Sequence, residues 1–156
     1  MRVALIMECP LLQTGGVEVL VRELTLRLAS ECEVVLVTDD EESTLPESHR
    51  AAIFAHVRLP LPHTHAAGSQ LCAALRELKI DLAHFHLGGT YAWNSRDYFN
   101  SALRAFVEHD VPFLVTNHGV FGFFGYCGPQ QPLWKRLAVL PYFWLSLIHI
   151  SEPTRP

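Results

Sequence analysis

The chain alternates short apolar runs with longer amphipathic stretches, and this alternation limits the fold more than any other feature. The apolar runs are typical of strands buried on both faces; they cover residues 3–7, 34–38, 82–86 and 113–116, with a less apolar run at 53–59 that predicts an edge strand. Between them, apolar side chains recur at helical spacing in residues 17–28, 67–78 and 95–108. Strands that alternate with helices indicate right-handed crossovers and a parallel sheet. We therefore expect an α/β, Rossmann-like open parallel sheet with helices on both faces.

Size, charge and cysteine content limit the class of protein. The chain of 156 residues has the length of one ordinary domain. Its formal net charge is -4 and its 12 lysines and arginines form no clustered run, so a nucleic acid is not an expected partner. Four cysteines lie far apart without a C-x-x-C pair, which favours reduced thiols in a cytoplasmic protein over disulfides or a structural zinc site. The first apolar run is short and is interrupted by Glu8, so we interpret it as a strand and not as an export signal.

Three turns are expected at the edge of the sheet where the parallel strands end, and ligands of open α/β sheets bind at that edge. They consist of residues 15–16, 87–90 and 117–119. Gly15 and Gly16 stand between the first strand and the first helix, where glycine lets a ligand approach the backbone and the helix start offers N–H groups to an anion. The polar residues 39–48, which begin with an acidic run, are interpreted as an exposed, solvated loop.

Three motifs resemble, in their order and spacing, the N-terminal domain of family 4 glycosyltransferases, which have the two-domain GT-B fold. They are T-G-G-V-E at residues 14–18, D-L-A-H-F-H at 81–86 and V-P-F-L-V-T-N-H-G at 111–119. The resemblance implies transfer of a sugar from a nucleotide-sugar donor to an acceptor hydroxyl with retention of anomeric configuration, without a metal or another cofactor. In that family the histidine of a T-x-H-G motif faces the transferred sugar, so His118 is the expected catalytic residue. Gly15, Gly16, Asn117 and Gly119 are the expected substrate-binding residues.

The resemblance also predicts how the chain is organised. We expect residues 1–144 to form the acceptor-side N-terminal domain and residues 145–156, which resemble a translated transposase sequencing adapter, to be a non-native tail. No segment matches the family's second domain, which supplies most nucleotide contacts, so this fragment is expected to be inactive alone. The aromatic residues 121–126 either pack on their own or the missing domain or contact a lipid-linked or aromatic acceptor, or the membrane that carries it. Membrane contact would place the cytoplasmic protein at the inner face of the membrane.

Two other classes of function stay open from the sequence. His84 and His86 alternate along one strand, so both imidazoles lie on one face and could begin a metal-dependent hydrolase site, to which His63, His65 or His118 would add ligands. No carboxylate near the pair has compelling ligand spacing. The other alternative is a non-catalytic α/β module that binds a small phosphorylated ligand or a partner.

Overall fold

A computed structural model describes residues 1–7, 9–59, 64–87 and 102–118 of the chain. The strands are β1 (Arg2–Met7), β2 (Glu33–Thr38), β3 (Ala55–Arg58), β4 (Leu82–Leu87) and β5 (Phe113–Asn117). The helices are α1 (Gly16–Leu28), α2 (Glu47–Ala52), α3 (His65–Glu77) and α4 (Ala102–Glu108), with a 3-10 turn at Glu42–Thr44. The predicted alternation is confirmed. The prediction that residues 39–48 form only a loop is wrong, because this segment contains the 3-10 turn and the start of α2.

The five strands form one parallel sheet in the order β3-β2-β1-β4-β5. Strand β1 is central and pairs with β2 on one side and with β4 on the other, so that Val3 lies between Val34 and Leu82. Strand β3 lies at an edge, as its weaker apolar pattern predicts. The order of the strands therefore reverses between β1 and β4, which is where open α/β sheets bind their ligands.

Each face of the sheet is covered by helices. On one face, α1 packs through Val21 against alternate residues of β1 and β2, which are Val3, Leu5, Met7, Val34 and Leu36. On the opposite face, α3 and α4 cover the intervening residues; Phe106 of α4 meets Phe85 of β4 edge-to-face at 4.9 Å between ring centroids. Helices on both faces of a parallel sheet confirm the expected Rossmann-like α/β fold.

Several parts of the sequence-based predictions lie outside the described residues. They are Gly119, the glycine turn at 88–90, the first part of the predicted helix at 95–108, the aromatic residues 121–126 and the tail at 145–156. Among the helices that the structure describes, none combines the length and the apolar character needed to cross a membrane.

Candidate functional site

The carboxyl ends of the parallel strands bring the two parts of the predicted site to one edge of the sheet. The chain leaves β1 at this edge and reaches Gly15 and Gly16 at the start of α1. His118 directly follows the end of β5, whose last residue is Asn117. Because β1 and β5 are parallel members of one sheet, Gly16 and His118 both lie at its carboxyl edge. The reversal in strand order between β1 and β4 lies at the same edge.

The two glycines form the start of α1 and differ in the space around them. Gly15 is the N-cap, with extended backbone (φ -169°, ψ 166°) and no side chain to bond the N–H groups of the first turn. A Cβ atom at Gly16 would meet no other atom within 4 Å, whereas a Cβ atom at Gly15 would lie 2.9 Å from Cδ of Glu18. Neither glycine has a positive φ. A side chain at residue 15 would therefore require the carboxyl group of Glu18 to move, while Gly16 leaves an open approach to the helix start.

Glu18 places its own carboxylate at this helix start. The residue is only 8% exposed, and its carboxyl group lies beside Gly15. A carboxylate in the first turn interacts favourably with the positive end of the helix dipole, and it repels a second anion at the same position. A phosphate or hydroxyl group therefore has open space beside Gly16, whereas the carboxylate of Glu18 occupies space beside Gly15.

Three histidines and one threonine form a cluster at the ends of β4 and β5. His84 and His86 lie on the same face of β4, as their spacing predicts, with ring centroids 4.0 Å apart. The Nε2 atom of His84 lies 2.8 Å from Oγ1 of Thr116. The Nδ1 atom of His86 lies 3.0 Å from Nε2 of His118, and the planes of these two rings are 12° apart. The strand register pairs His86 with Thr116. His118 comes two residues after Thr116, and its ring therefore lies next to that of His86.

Burial keeps this histidine cluster uncharged. His86 is 1% exposed, and its desolvation, reinforced by His84 and His118, lowers its pKa to about 3. Desolvation, with a smaller contribution from His118, lowers the pKa of His84, and desolvation also lowers the pKa of His118. The three rings are therefore neutral at pH 7, and each has one N–H donor and one acceptor nitrogen.

The metal-dependent hydrolase alternative has no support in the part of the chain that the structure describes. No group of three or more histidine, cysteine, aspartate or glutamate side chains there could hold a metal ion. Nε2 of His84 is hydrogen-bonded to Thr116, and Nδ1 of His86 is hydrogen-bonded to His118. His65 contacts a carboxylate of α4, with Nε2 2.6 Å from Oε2 of Glu108, and His63 lies outside the described residues.

Asp40 belongs to this edge, and the prediction that it is solvated is wrong. It is 8% exposed, and its Oδ2 accepts hydrogen bonds from the backbone N–H of Leu11 and from the hydroxyl of Thr38, each 2.7 Å long. Because the single hydroxyl proton of Thr38 goes to the carboxylate, Nε2 of His56, 3.1 Å from that hydroxyl, must be the donor in their contact. Asp40 thus ties the segment that leads to Gly15 to the end of β2. The signal in the sequence is the T-x-D spacing at the end of a buried strand.

A known protein family matches the chain from the glycine turn onward. The model described as Glycosyltransferase Family 4 matches residues 14–150, which is most of the chain and begins one residue before Gly15. A search of curated proteins found no match. The chain therefore belongs to glycosyltransferase family 4.

Proposed function

We propose that the chain is the acceptor-side, N-terminal domain of a retaining glycosyltransferase that moves a sugar from a nucleotide-sugar donor to an acceptor hydroxyl. Membership of the family supports the reaction class. The observation that carries the assignment to this edge is that the open helix start at Gly16 and the neutral ring of His118 share the carboxyl edge of one parallel sheet. The point of strand reversal lies there too.

The roles proposed for these residues are charge stabilisation and orientation. A departing nucleoside diphosphate gains negative charge, and the N–H groups at the start of α1 favour such charge next to Gly16. We further propose that His118 forms a hydrogen bond with the transferred sugar and that Gly15, Asn117 and Gly119 are substrate-binding residues. No covalent bond to the protein, metal ion or other cofactor is part of this proposal.

The proposal extends to a second domain and to the cellular location. Transfer requires donor and acceptor to be held in register across a closed cleft, so the chain alone is expected to be inactive. The division into residues 1–144 and a non-native tail at 145–156 stays a prediction, which the genomic reading frame beyond Trp144 tests. The scattered cysteines support a cytoplasmic location. Contact of residues 121–126 with the inner face of the membrane stays a prediction, which liposome binding tests.

The test uses the enzyme encoded by the continuous genomic reading frame. Release of nucleoside diphosphate is measured over a panel of nucleotide sugars and acceptors, and the anomeric configuration of the product is determined by NMR. Loss of one positioned hydrogen-bonding group should lower kcat/KM of His118→Ala by about 100-fold. Gly16→Val should lower it as strongly by filling the open approach. Both variants should still fold: His118→Ala removes the partner of His86 at a cost of about 1–3 kcal/mol, and a Cβ atom at Gly16 meets no neighbour.

A matched control is Glu77→Ala, which changes an exposed residue at the end of α3, and it should keep full activity. Near-normal transfer by both His118→Ala and Gly16→Val would contradict the site assignment. An inverted product would contradict the retaining mechanism.

A further inference from the structure

His86 has one ring nitrogen bonded to His118 and the other buried without a partner. Its Nδ1 lies 3.0 Å from Nε2 of His118, and its own Nε2 has no hydrogen-bond partner in the part of the chain that the structure describes. At 1% exposure His86 cannot contact a substrate, so any role in transfer must act through His118. The ring of His84, which is hydrogen-bonded to Thr116, has its centroid 4.0 Å from that of His86.

The buried nitrogen decides which of the two histidines donates. A neutral ring has one proton, so either Nδ1–H of His86 donates and its Nε2 is a bare acceptor, or His118 donates and His86 buries an unbonded Nε2–H. Buried backbone N–H groups without an acceptor are rarer in proteins than under-satisfied carbonyl groups, and we apply the same order to the ring nitrogens of His86. The arrangement with Nδ1–H of His86 as the donor is therefore favoured.

This choice fixes the tautomer of His118. If Nε2 of His118 accepts, its single proton lies on Nδ1, because the hydrogen bond at one nitrogen determines the state of the other. Among the described residues, Nδ1 of His118 has no hydrogen-bond partner, and the side chain is partly exposed. His118 then has an N–H donor available for a hydroxyl oxygen of a ligand at the carboxyl edge.

We propose that His86 is a positioning residue that donates Nδ1–H to Nε2 of His118 and so holds His118 in the tautomer that presents Nδ1–H to the transferred sugar. This inference rests on the proposed function for the identity of the ligand. The tautomer itself is a property of the chain and is measured without any substrate.

The tautomer is measured by long-range ¹H–¹⁵N correlation NMR of the chain, labelled with ¹⁵N-histidine, at pH 7. Loss of signals in His118→Gln assigns the ring of His118. We expect Nδ1 of His118 to be protonated and Nε2 to be unprotonated. In His86→Leu, which has no donor, His118 should become a mixture of tautomers, and in His86→Asn, whose side-chain N–H lies near the former Nδ1, the original tautomer should return. Thr116→Val, which removes only the partner of His84, should leave His118 unchanged.

Two results would overturn the inference. One is protonation of Nε2 of His118 in the unmodified chain, which decides the matter even where His86→Leu does not fold. The other is an unchanged tautomer of His118 in folded His86→Leu.

Activity in the enzyme from the continuous reading frame separates this inference from the proposed function. His86→Leu should lower kcat by about tenfold, as expected for one lost orienting hydrogen bond, with KM for the donor unchanged within about twofold. His86→Asn should recover most of the kcat. If His118→Ala stays active, the proposed function fails whatever the tautomer is. If His118→Ala is inactive but His86→Leu keeps full kcat, the function stands and the positioning role fails.

Discussion

Lowering the pH from 7 to 5 should destabilise the chain through His86. Burial, with the neighbouring His84 and His118, lowers the pKa of His86 from its ordinary 6.5 to about 3 in the folded chain. Below pH 6.5 the unfolded state therefore binds a proton that the folded state does not, and the free energy of unfolding falls with pH. The contribution of His86 is complete above pH 6.5 and is lost as the pH falls towards about 3.

The size of this effect follows from the two pKa values. At pH 5 the unfolded imidazole is about 1.5 pH units below its pKa, while the folded one is still neutral. Each unit corresponds to about 1.4 kcal/mol, so His86 alone should lower the free energy of unfolding by about 2 kcal/mol between pH 7 and 5. Desolvation lowers the pKa of His84, His56 and His118 as well, so the total loss should be larger.

The measurement is urea-induced unfolding of the chain at pH 7 and 5, with variants that isolate His86. Between these pH values His86→Leu should lose about 2 kcal/mol less than the unmodified chain, because leucine does not titrate. His86→Asn is polar but also does not titrate, so its pH dependence should be reduced equally. Equal losses in the unmodified chain and in both variants would refute the reasoning, because His86 would then titrate alike in the folded and unfolded states.

Three further predictions concern stability and reactivity. Asp40→Ala leaves the N–H of Leu11 and the hydroxyl of Thr38 without their acceptor, so it should lower the free energy of unfolding by about 2–4 kcal/mol in a urea titration. The control Glu41→Ala breaks only an exposed ion pair with Arg58 and should change the free energy of unfolding by less than about 1 kcal/mol. Equal effects of the two substitutions would contradict the buried role of Asp40. Lys79 closes α3 with φ 54°, so Lys79→Gly should raise the melting temperature through a gain of about 1 kcal/mol, and an unchanged or lower melting temperature would argue against strain there. Burial raises the pKa of the Cys72 thiol to about 12, so iodoacetamide at pH 8 should modify the partly exposed Cys32 before Cys72, as peptide mass spectrometry would show; the reverse order would contradict the burial.

The strands were predictable because parallel strands buried on both faces have continuous apolar runs, and the five runs gave the five strands of the sheet. Helix α2 (Glu47–Ala52) was missed because its six residues, ESHRAA, are too few and too polar to show an apolar stripe. The apolar pattern also does not determine the order of the strands in the sheet, since each apolar run could pair with several other strands. It follows instead from how α1 and α3 cover opposite faces of the sheet.

In the candidate site, too, some features follow from local spacing in the sequence, and others depend on contacts between residues distant in the sequence. That His84 and His86 share a face follows from the two-residue period of a strand and needed no structure. Their bonds to Thr116 and His118 depend on the register between β4 and β5, which packing sets. The burial of Asp40 was hidden for a similar reason, because its backbone partner Leu11 lies 29 residues away in the sequence.

His86→Leu should separate the demands of folding from those of the site. At pH 7 the substitution loses one hydrogen bond to His118, worth about 1 kcal/mol. It also removes the buried, unpartnered Nε2 of His86, whose presence lowers the stability of the unmodified chain by about 1–3 kcal/mol. Urea-induced unfolding at pH 7 should therefore show unchanged stability or a gain of up to about 2 kcal/mol, although the same variant is expected to lose orientation of His118. A loss of several kcal/mol would instead mean that the imidazole at residue 86 is needed for packing. If leucine at residue 86 gives an equally or more stable chain, the histidine is best explained by its hydrogen bond to His118, since residues that serve a site often lower stability.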